Sequence, residues 1–380
     1  MKIAIIRGEH LSYWEMQNFI PLMEHHQLVG FTCFGGNYDI KNLPFEVVRL
    51  FSIGHSLRAR ILRKIYEHVI GDVSDLRGLE KHLTGFDIVH TIETFSYSSY
   101  RAAKLKKKMG FKLVVSVWEN IPFLKNLKKT RKMKEVVFNE VDLFIAATRR
   151  AKESLVLEGV PEEKIKVLLH GVDTDFFKPL PKDTTLLKKF GCEKNDFIIL
   201  FVGRLHRNKG IYDLIFAFRY LIDHLKNVRI KLLMRSSGKE KENITRWIRS
   251  LHLQDYVKII GNQPWCDLPK IHNLADIFVL PSLPTPGWQE QFGFVLVESM
   301  ACGKPIISTL SGSIPEVIGD AGELVQPNDF FTLGEKMLKL YQDKEHRQNL
   351  SVRARNRAEQ LLNASKVSQQ LNNYYESLIR

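Results

Sequence analysis

The feature that most constrains this chain is a rhythm. Short apolar runs rich in Val and Ile, bounded by turn residues, alternate with longer stretches of helical character, and the whole pattern occurs twice. Continuous apolar runs rather than alternating ones indicate strands covered on both faces, and their alternation with helices indicates parallel βαβ units. In the first half the expected strands are Lys2–Arg7, Val29–Phe34, Asp87–His90, Lys112–Val117, Leu143–Ala147 and Lys166–Leu169. In the second they are Phe197–Val202, Arg229–Met234, Val257–Ile260, Ile277–Leu280, Pro305–Ser308 and Glu323–Val325. After Asp329 the pattern is helical to Arg380, with Leu333, Met337, Leu338 and Tyr341 at three-to-four spacing.

Between the two series, HGVDTDFFKPLPKDTT at residues 170–185 breaks the periodicity with Gly, Pro, Asp and Thr. A chain of 380 residues is longer than one hydrophobic core usually supports. We therefore expect a first domain over 1–175, completed by the last helix at about 363–380, and a second over 176–362.

Composition excludes several classes. With 44% hydrophobic and 26% charged residues the chain is neither disordered nor fibrous. Cys33, Cys192, Cys266 and Cys302 stand singly, without CxxC pairs or His at metal-ligand spacing, so neither a disulfide framework nor a zinc site is expected. The start, MKIAIIRG, reads as a strand rather than a secretion signal, and no apolar run is long enough to span a bilayer, so a cytoplasmic location is expected.

The net charge of +14 is concentrated. Arg101 to Lys134 carries twelve Lys or Arg against one acid, Glu119, or 12 − 1 = +11. Interleaved with Phe111, Phe123, Leu124, Leu127 and Met133, these cations suit a basic amphipathic surface that settles on anionic headgroups at the inner face of a membrane. Nucleic-acid binding is the rival reading of such charge, but no helix-turn-helix, aromatic RNA-binding strand or zinc motif accompanies it.

Candidate chemistry lies in the second half. The strand Phe197–Val202 runs into Gly203-Arg204 and then Lys209-Gly210 opening a helix, which places two cations at the carboxyl end of a strand, where open parallel sheets bind ligands. A guanidinium fork, a compact ammonium and helix-start N–H groups suit a diphosphate. Further on, EQFGFVLVESMACGKP sets Glu290 in a loop and Glu298 inside a helix that starts near Phe292 or Gly293. A loop carboxylate can accept from sugar hydroxyls, a helix carboxylate from both hydroxyls of a ribose, and Gly293 lets backbone N–H groups come close to phosphate.

Taken in order, Gly203-Arg204…Lys209-Gly210, the strand ending in Pro281-Ser282, Glu290-Gln291-Phe292-Gly293…Glu298, Gly303-Lys304-Pro305 and the following Ser311-Gly312-Ser313-Ile314-Pro315-Glu316-Val317 resemble glycosyltransferase family 4. The resemblance implies the GT-B fold, two Rossmann-like domains whose parallel sheets face across a cleft. It implies a retaining, metal-independent transfer of sugar from a UDP-, GDP- or ADP-sugar to a hydroxyl acceptor, with no cofactor. Arg204 and Lys209 would hold the diphosphate, Glu290 the transferred sugar and Glu298 the ribose, with Gly203, Phe292, Gly293 and Phe294 lining the donor. A sugar-nucleotide epimerase or a silent homologue would share these motifs.

Gly171-Val172-Asp173 also resembles the family, with His170 where Asn is common; an Asx turn from Asp173 is the plain reading of that segment. The first half departs more. Only Gly8 follows the first strand, with Gly35-Gly36 after a later one, and Trp118-Glu119 replaces an expected histidine segment. Gly8, Trp118 and Glu119 are the candidate residues of this domain; Trp118 could stack on a sugar ring, and the acceptor would be a growing glycan or a lipid-linked one. His90 reads as a hydrogen-bonded core histidine.

Overall fold

A computed structural model describes residues 1–34, 40–52, 76–125, 127–225 and 228–380. It divides into two compact units, Met1–Gly171 with Ala364–Arg380, and Val172–Asn363. Each is a doubly wound, parallel α/β unit.

In the first unit the strands are β1 Lys2–Gly8, β2 Gln27–Cys33, β3 Glu46–Leu50, β4 Ile88–Ile92, β5 Lys112–Val117, β6 Leu143–Ala146 and β7 Ile165–Val167, ordered β3-β2-β1-β4-β5-β6-β7. All pairings between them are parallel. The two faces of β1 show why its run is unbroken: Ala4 and Ile6 enter one core cluster with Val115 and Phe144, while Ile3 and Ile5 enter the other with Val114 and Tyr375. β3 has no counterpart in the sequence reading. It is an edge strand, EVVRL, in which only Leu50 is buried, so it offers no apolar run.

The second unit contains β8 Phe197–Val202, β9 Ile230–Arg235, β10 Val257–Ile259, β11 Ile277–Leu280, β12 Ile306–Thr309 and β13 Gly322–Val325, ordered β10-β9-β8-β11-β12-β13 and again parallel throughout. Ile198 to Phe201 are fully buried, as strands covered on both sides require. In both sheets the first strand of the unit sits beside the point where strand order reverses, which is where such folds place ligands.

The last helix, Ala364–Ile379, belongs to the first unit, where Val367, Leu371 and Tyr375 pack into its core. His90 is the hydrogen-bonded core histidine expected: its Nε2 lies 2.7 Å from Ser116 Oγ, and its Nδ1 bonds the Tyr375 hydroxyl. Cys33, Cys192 and Cys302 are buried free thiols and Cys266 an exposed one. Among the described residues no helix is long and apolar enough to cross a membrane.

The segment 101–134 is divided among the helix Tyr97–Met109, β5, a turn and the helix Lys128–Glu140, and several of its cations are paired. Lys106 bonds Asp142 at 2.9 Å, and Lys134 is buried against Glu158. The turn keeps the expected character: Phe123 and Leu127 are 51% and 61% exposed, among exposed Lys125, Lys128 and Lys129.

Candidate functional site

Past β8 the chain turns through Gly203 and Arg204, makes a 3-10 turn at Arg207–Lys209, and enters the helix Ile211–Asp223 through Gly210. Gly210 has φ +64, and a Cβ there would lie 1.7 Å from the Pro281 carbonyl oxygen. Only glycine lets this turn close onto the end of β11, and that contact carries Lys209 to Ser282 and Glu290.

There Lys209 Nζ donates to Glu290 Oε2 at 2.6 Å, and Ser282 Oγ donates to the same oxygen at 2.7 Å. The Lys209 ammonium also lies 4.7 Å from the centre of the Trp288 ring, a cation–π contact. Both charged side chains are largely buried. The loop is fastened from behind as well: Ser313 N–H donates to the Glu290 carbonyl at 2.9 Å, and Gly312, at φ +55, would place a Cβ 2.0 Å from that carbonyl oxygen. Thr309 Oγ1 donates to the Ser282 carbonyl at 2.5 Å.

Gly293, at φ +84, begins the helix Phe294–Ala301, slightly later than the sequence indicated. Phe292 is buried and packs on Phe294 with ring centres 5.3 Å apart. Glu298 is buried inside this helix and lies 3.3 Å from Nε2 of the fully buried His272. Arg204 is exposed, and no hydrogen bond or ion pair holds its side chain among the described residues. Of the four principal candidates, Lys209 and Glu290 are thus joined directly, Glu298 is engaged by His272, and Arg204 projects into solvent.

Sequence reasoning missed Ser282, Trp288 and His272. Ser282 is marked in the sequence only as the end of a strand motif, and a lone buried His carries no local signal of its partner. The approach of Gly210 to Pro281 was equally hidden, since it joins segments about seventy residues apart.

In the first unit, Gly8 ends β1 at φ +56, with its carbonyl accepting from Thr32 Oγ1 at 2.6 Å. Trp118 and Glu119 follow β5. The Trp118 ring centre lies 5.2 Å from that of His170, and the backbone N–H of Trp118 donates to Glu93 Oε1 at 2.9 Å. Glu119 Oε1 accepts from Ile121 N–H at 3.0 Å, and burial raises its pKa. Glu93 was not anticipated. It has φ +60, and burial pushes its carboxyl up to about 8. The Asx turn at Asp173 is present, its Oδ1 accepting from Asp175 and Phe176 N–H at 2.9 and 3.0 Å. Gly35 and Gly36 lie outside the described residues.

Residues 182–357 match the model of glycosyl transferases group 1, and residues 26–176 that of glycosyltransferase family 4. Relatives include N-acetyl-alpha-D-glucosaminyl L-malate synthase of Bacillus anthracis, 30% identical over 58% of this chain and 55% of that protein. The capsular polysaccharide biosynthesis glycosyltransferase CapM of Staphylococcus aureus is 28% identical over 62% of each. The chain thus spans little more than half the length of the curated relatives it matches first. Among solved structures, HepE of Anabaena in complex with UDP superposes with a TM-score of 0.79 at 18% identity, covering 99% of this chain and 100% of that one. Sucrose-phosphate synthase of Thermosynechococcus elongatus gives 0.79 at 18%, covering 100% and 99%. With two parallel Rossmann-like units sharing the fold of GT-B enzymes and consecutive models matching most of its length, this chain belongs to the group 1 glycosyltransferases of family 4.

Proposed function

We propose that this protein is a retaining glycosyltransferase that moves a sugar from a nucleoside-diphosphate sugar to a hydroxyl group of a glycan or lipid-linked acceptor. The observation that carries the proposal is the buried Lys209–Glu290 pair, fixed by Ser282 and the Gly210 turn at the carboxyl ends of β8 and β11. A carboxylate so held can accept from sugar hydroxyls, and the ammonium beside it presents charge to a diphosphate. The exposed Arg204 guanidinium supplies the second cation, and Glu298 accepts from the ribose hydroxyls.

In such a site rate enhancement comes from fixed charge and positioning. Arg204 and Lys209 stabilise the diphosphate as its bond to the sugar breaks, and the departing oxygen takes the acceptor proton as the acceptor attacks the same face. No protein nucleophile and no metal are needed for this sequence of events. Because the HepE complexes hold UDP and UDP-glucose, a uridine donor is the first to test.

We further propose that the first unit receives the acceptor and that the protein lies against an anionic membrane surface on the cytoplasmic side. Phe123 and Leu127, exposed among Lys125, Lys128 and Lys129, support this reading.

Thermal-shift measurements with UDP, GDP, ADP and their sugar conjugates test the donor. A ligand at a hundred times its Kd stabilises by about 2.7 kcal/mol, so one base should stand out. Incubation of the radiolabelled sugar nucleotide with lipid-linked and oligosaccharide acceptors then tests transfer. Epimerisation of the donor, or donor binding with no transfer to any acceptor, would reject the proposal.

A further inference from the structure

A cation is buried in the first unit with no ion-pair partner among the described residues. Arg7, on β1, is 5% exposed, and its Nη1 is sealed from solvent with no hydrogen-bond partner among the described residues. Its guanidinium rests 5.1 Å from the centre of the Phe19 ring. A buried guanidinium is costly unless it is paired, and chains ordinarily supply a carboxylate for it.

Here the nearby acids do not. Glu15 and Glu93 act on Arg7 through space, yet each has an Oε2 that is itself sealed without a partner among the described residues. Burial pushes Glu15 up to about 7 and Glu93 up to about 8, so neither carries a full charge at neutral pH.

Arg7 borders a cavity of about 30 Å³, together with Asn18, Phe19, His90, Ser116 and His170. Burial and the charge of Arg7 keep both histidines neutral, His90 well below its ordinary range and His170 at about 3. Burial lowers the pKa of Arg7 too, but a guanidinium stays protonated at neutral pH, so Arg7 is the charged residue among the described residues that line the cavity. A water needs roughly 10–15 Å³ of such space, so the cavity has room for about two waters or one small anion.

Two further polar groups are arranged as donors. Asn18 Oδ1 accepts from Gly171 N–H at 3.1 Å, which leaves its amide NH₂ to donate. Burial holds the Tyr375 phenol neutral, and it bonds His90 Nδ1; with the His90 proton on Nε2, directed at Ser116 Oγ 2.7 Å away, the Ser116 hydroxyl is left to donate in turn.

We propose that this cavity is a binding site for one small monovalent anion, a halide or the carboxylate of a larger molecule, held by the Arg7 guanidinium with Asn18 and Ser116 as further donors. The site lies wholly within the first unit and does not depend on the donor chemistry proposed above.

Crystals of the full chain grown with sodium bromide test it by anomalous scattering. A peak within hydrogen-bonding distance of Arg7 is expected in the wild type and none in Arg7→Met. If Arg7→Met does not fold, Arg7→Lys keeps the charge without the fork and should show reduced occupancy. In solution, replacing gluconate by chloride at constant ionic strength should raise the Tm of the wild type saturably and leave that of Arg7→Met unmoved. No bromide beside Arg7, or the same chloride response in both proteins, would overturn the proposal. Succinate distinguishes the sources: displacement of bromide marks a carboxylate site, and retained bromide marks a halide site.

Discussion

Lys209 Nζ and Glu290 Oε2 are 2.6 Å apart, although 81 positions separate the two residues, and Ser282 donates to the same carboxylate oxygen. Each partner is buried enough that its removal strands the other. Losing one member of a buried pair costs about 3–5 kcal/mol, much of it the desolvation of the survivor. Lys209→Met and Glu290→Gln should each lower stability clearly, while the double variant should lose less than the sum of the two. Urea melts of the four proteins check this, and strict additivity would contradict a coupled pair.

For activity the same two substitutions should act alike. If Glu290 orients the sugar and Lys209 steadies the diphosphate, each change should reduce transfer by roughly 10²–10³-fold, the range seen when one preorganised transition-state contact is removed. Initial rates with saturating donor measure it. Near wild-type rates in folded Glu290→Gln would remove this carboxylate from the site.

The glycines that let these segments meet make a separate prediction. A Cβ at Gly210 or Gly312 would fall 1.7 or 2.0 Å from a backbone carbonyl oxygen, at positive φ in both cases. Backbone cannot yield as a flexible side chain can. Gly261 is the control, with φ +68 and nothing within 4 Å of its Cβ direction. Gly261→Ala should cost about 1–2 kcal/mol of backbone strain, and Gly210→Ala and Gly312→Ala considerably more. Chemical denaturation of the three variants reads the difference, and equal losses would show that the close approaches are relaxed without cost.

What the sequence disclosed and what it withheld follow from the range of the interactions involved. Strands such as β1 and β8 are buried on both faces, so their composition alone marks them, whereas β3 at the sheet edge buries little and left no signature. The residues of the second unit were visible because each stands at the end of a strand or the start of a helix, a local property. Which of them pair was not visible, since the Lys209–Glu290 and His272–Glu298 contacts are made by folding. Arg7 was invisible for a related reason: a cation at the end of an apolar run looks like a strand terminus meeting solvent, and it is folding that brings Phe19 and Val367 and Leu371 of the last helix around it.

Glu93 carries a pH-dependent prediction. Burial raises its carboxyl from 4.5 to about 8, so the folded protein holds a proton there that the unfolded chain releases. That contribution to stability is fully present below about pH 4.5 and is lost as pH rises through about 8. Glu93→Gln, which cannot ionise, should flatten the fall of Tm across this window and gain on the wild type toward pH 8. Glu15, pushed up to about 7, leaves a residual slope of the same sign. Parallel Tm–pH curves for wild type and Glu93→Gln would show that Glu93 ionises normally in the fold.

The turn before the helix Lys128–Glu140 supplies the last prediction. Phe123 is held outward by its own backbone: its φ is +62, and its N–H donates to Glu158 Oε1 at 2.8 Å. A side chain fixed in that way enters an interface with little further ordering. Each lysine close to an anionic leaflet adds about 1 kcal/mol, screened beyond about 10 Å at 0.1 M salt. Changing Lys125, Lys128 and Lys129 together to Gln should therefore weaken association with phosphatidylserine vesicles by about a hundredfold. Phe123→Ser with Leu127→Ser should weaken it at all salt concentrations, because apolar burial is not screened. Vesicle sedimentation at low and high salt separates the two contributions. Equal binding of the wild type to anionic and neutral vesicles at low salt would rule out electrostatic docking through this turn.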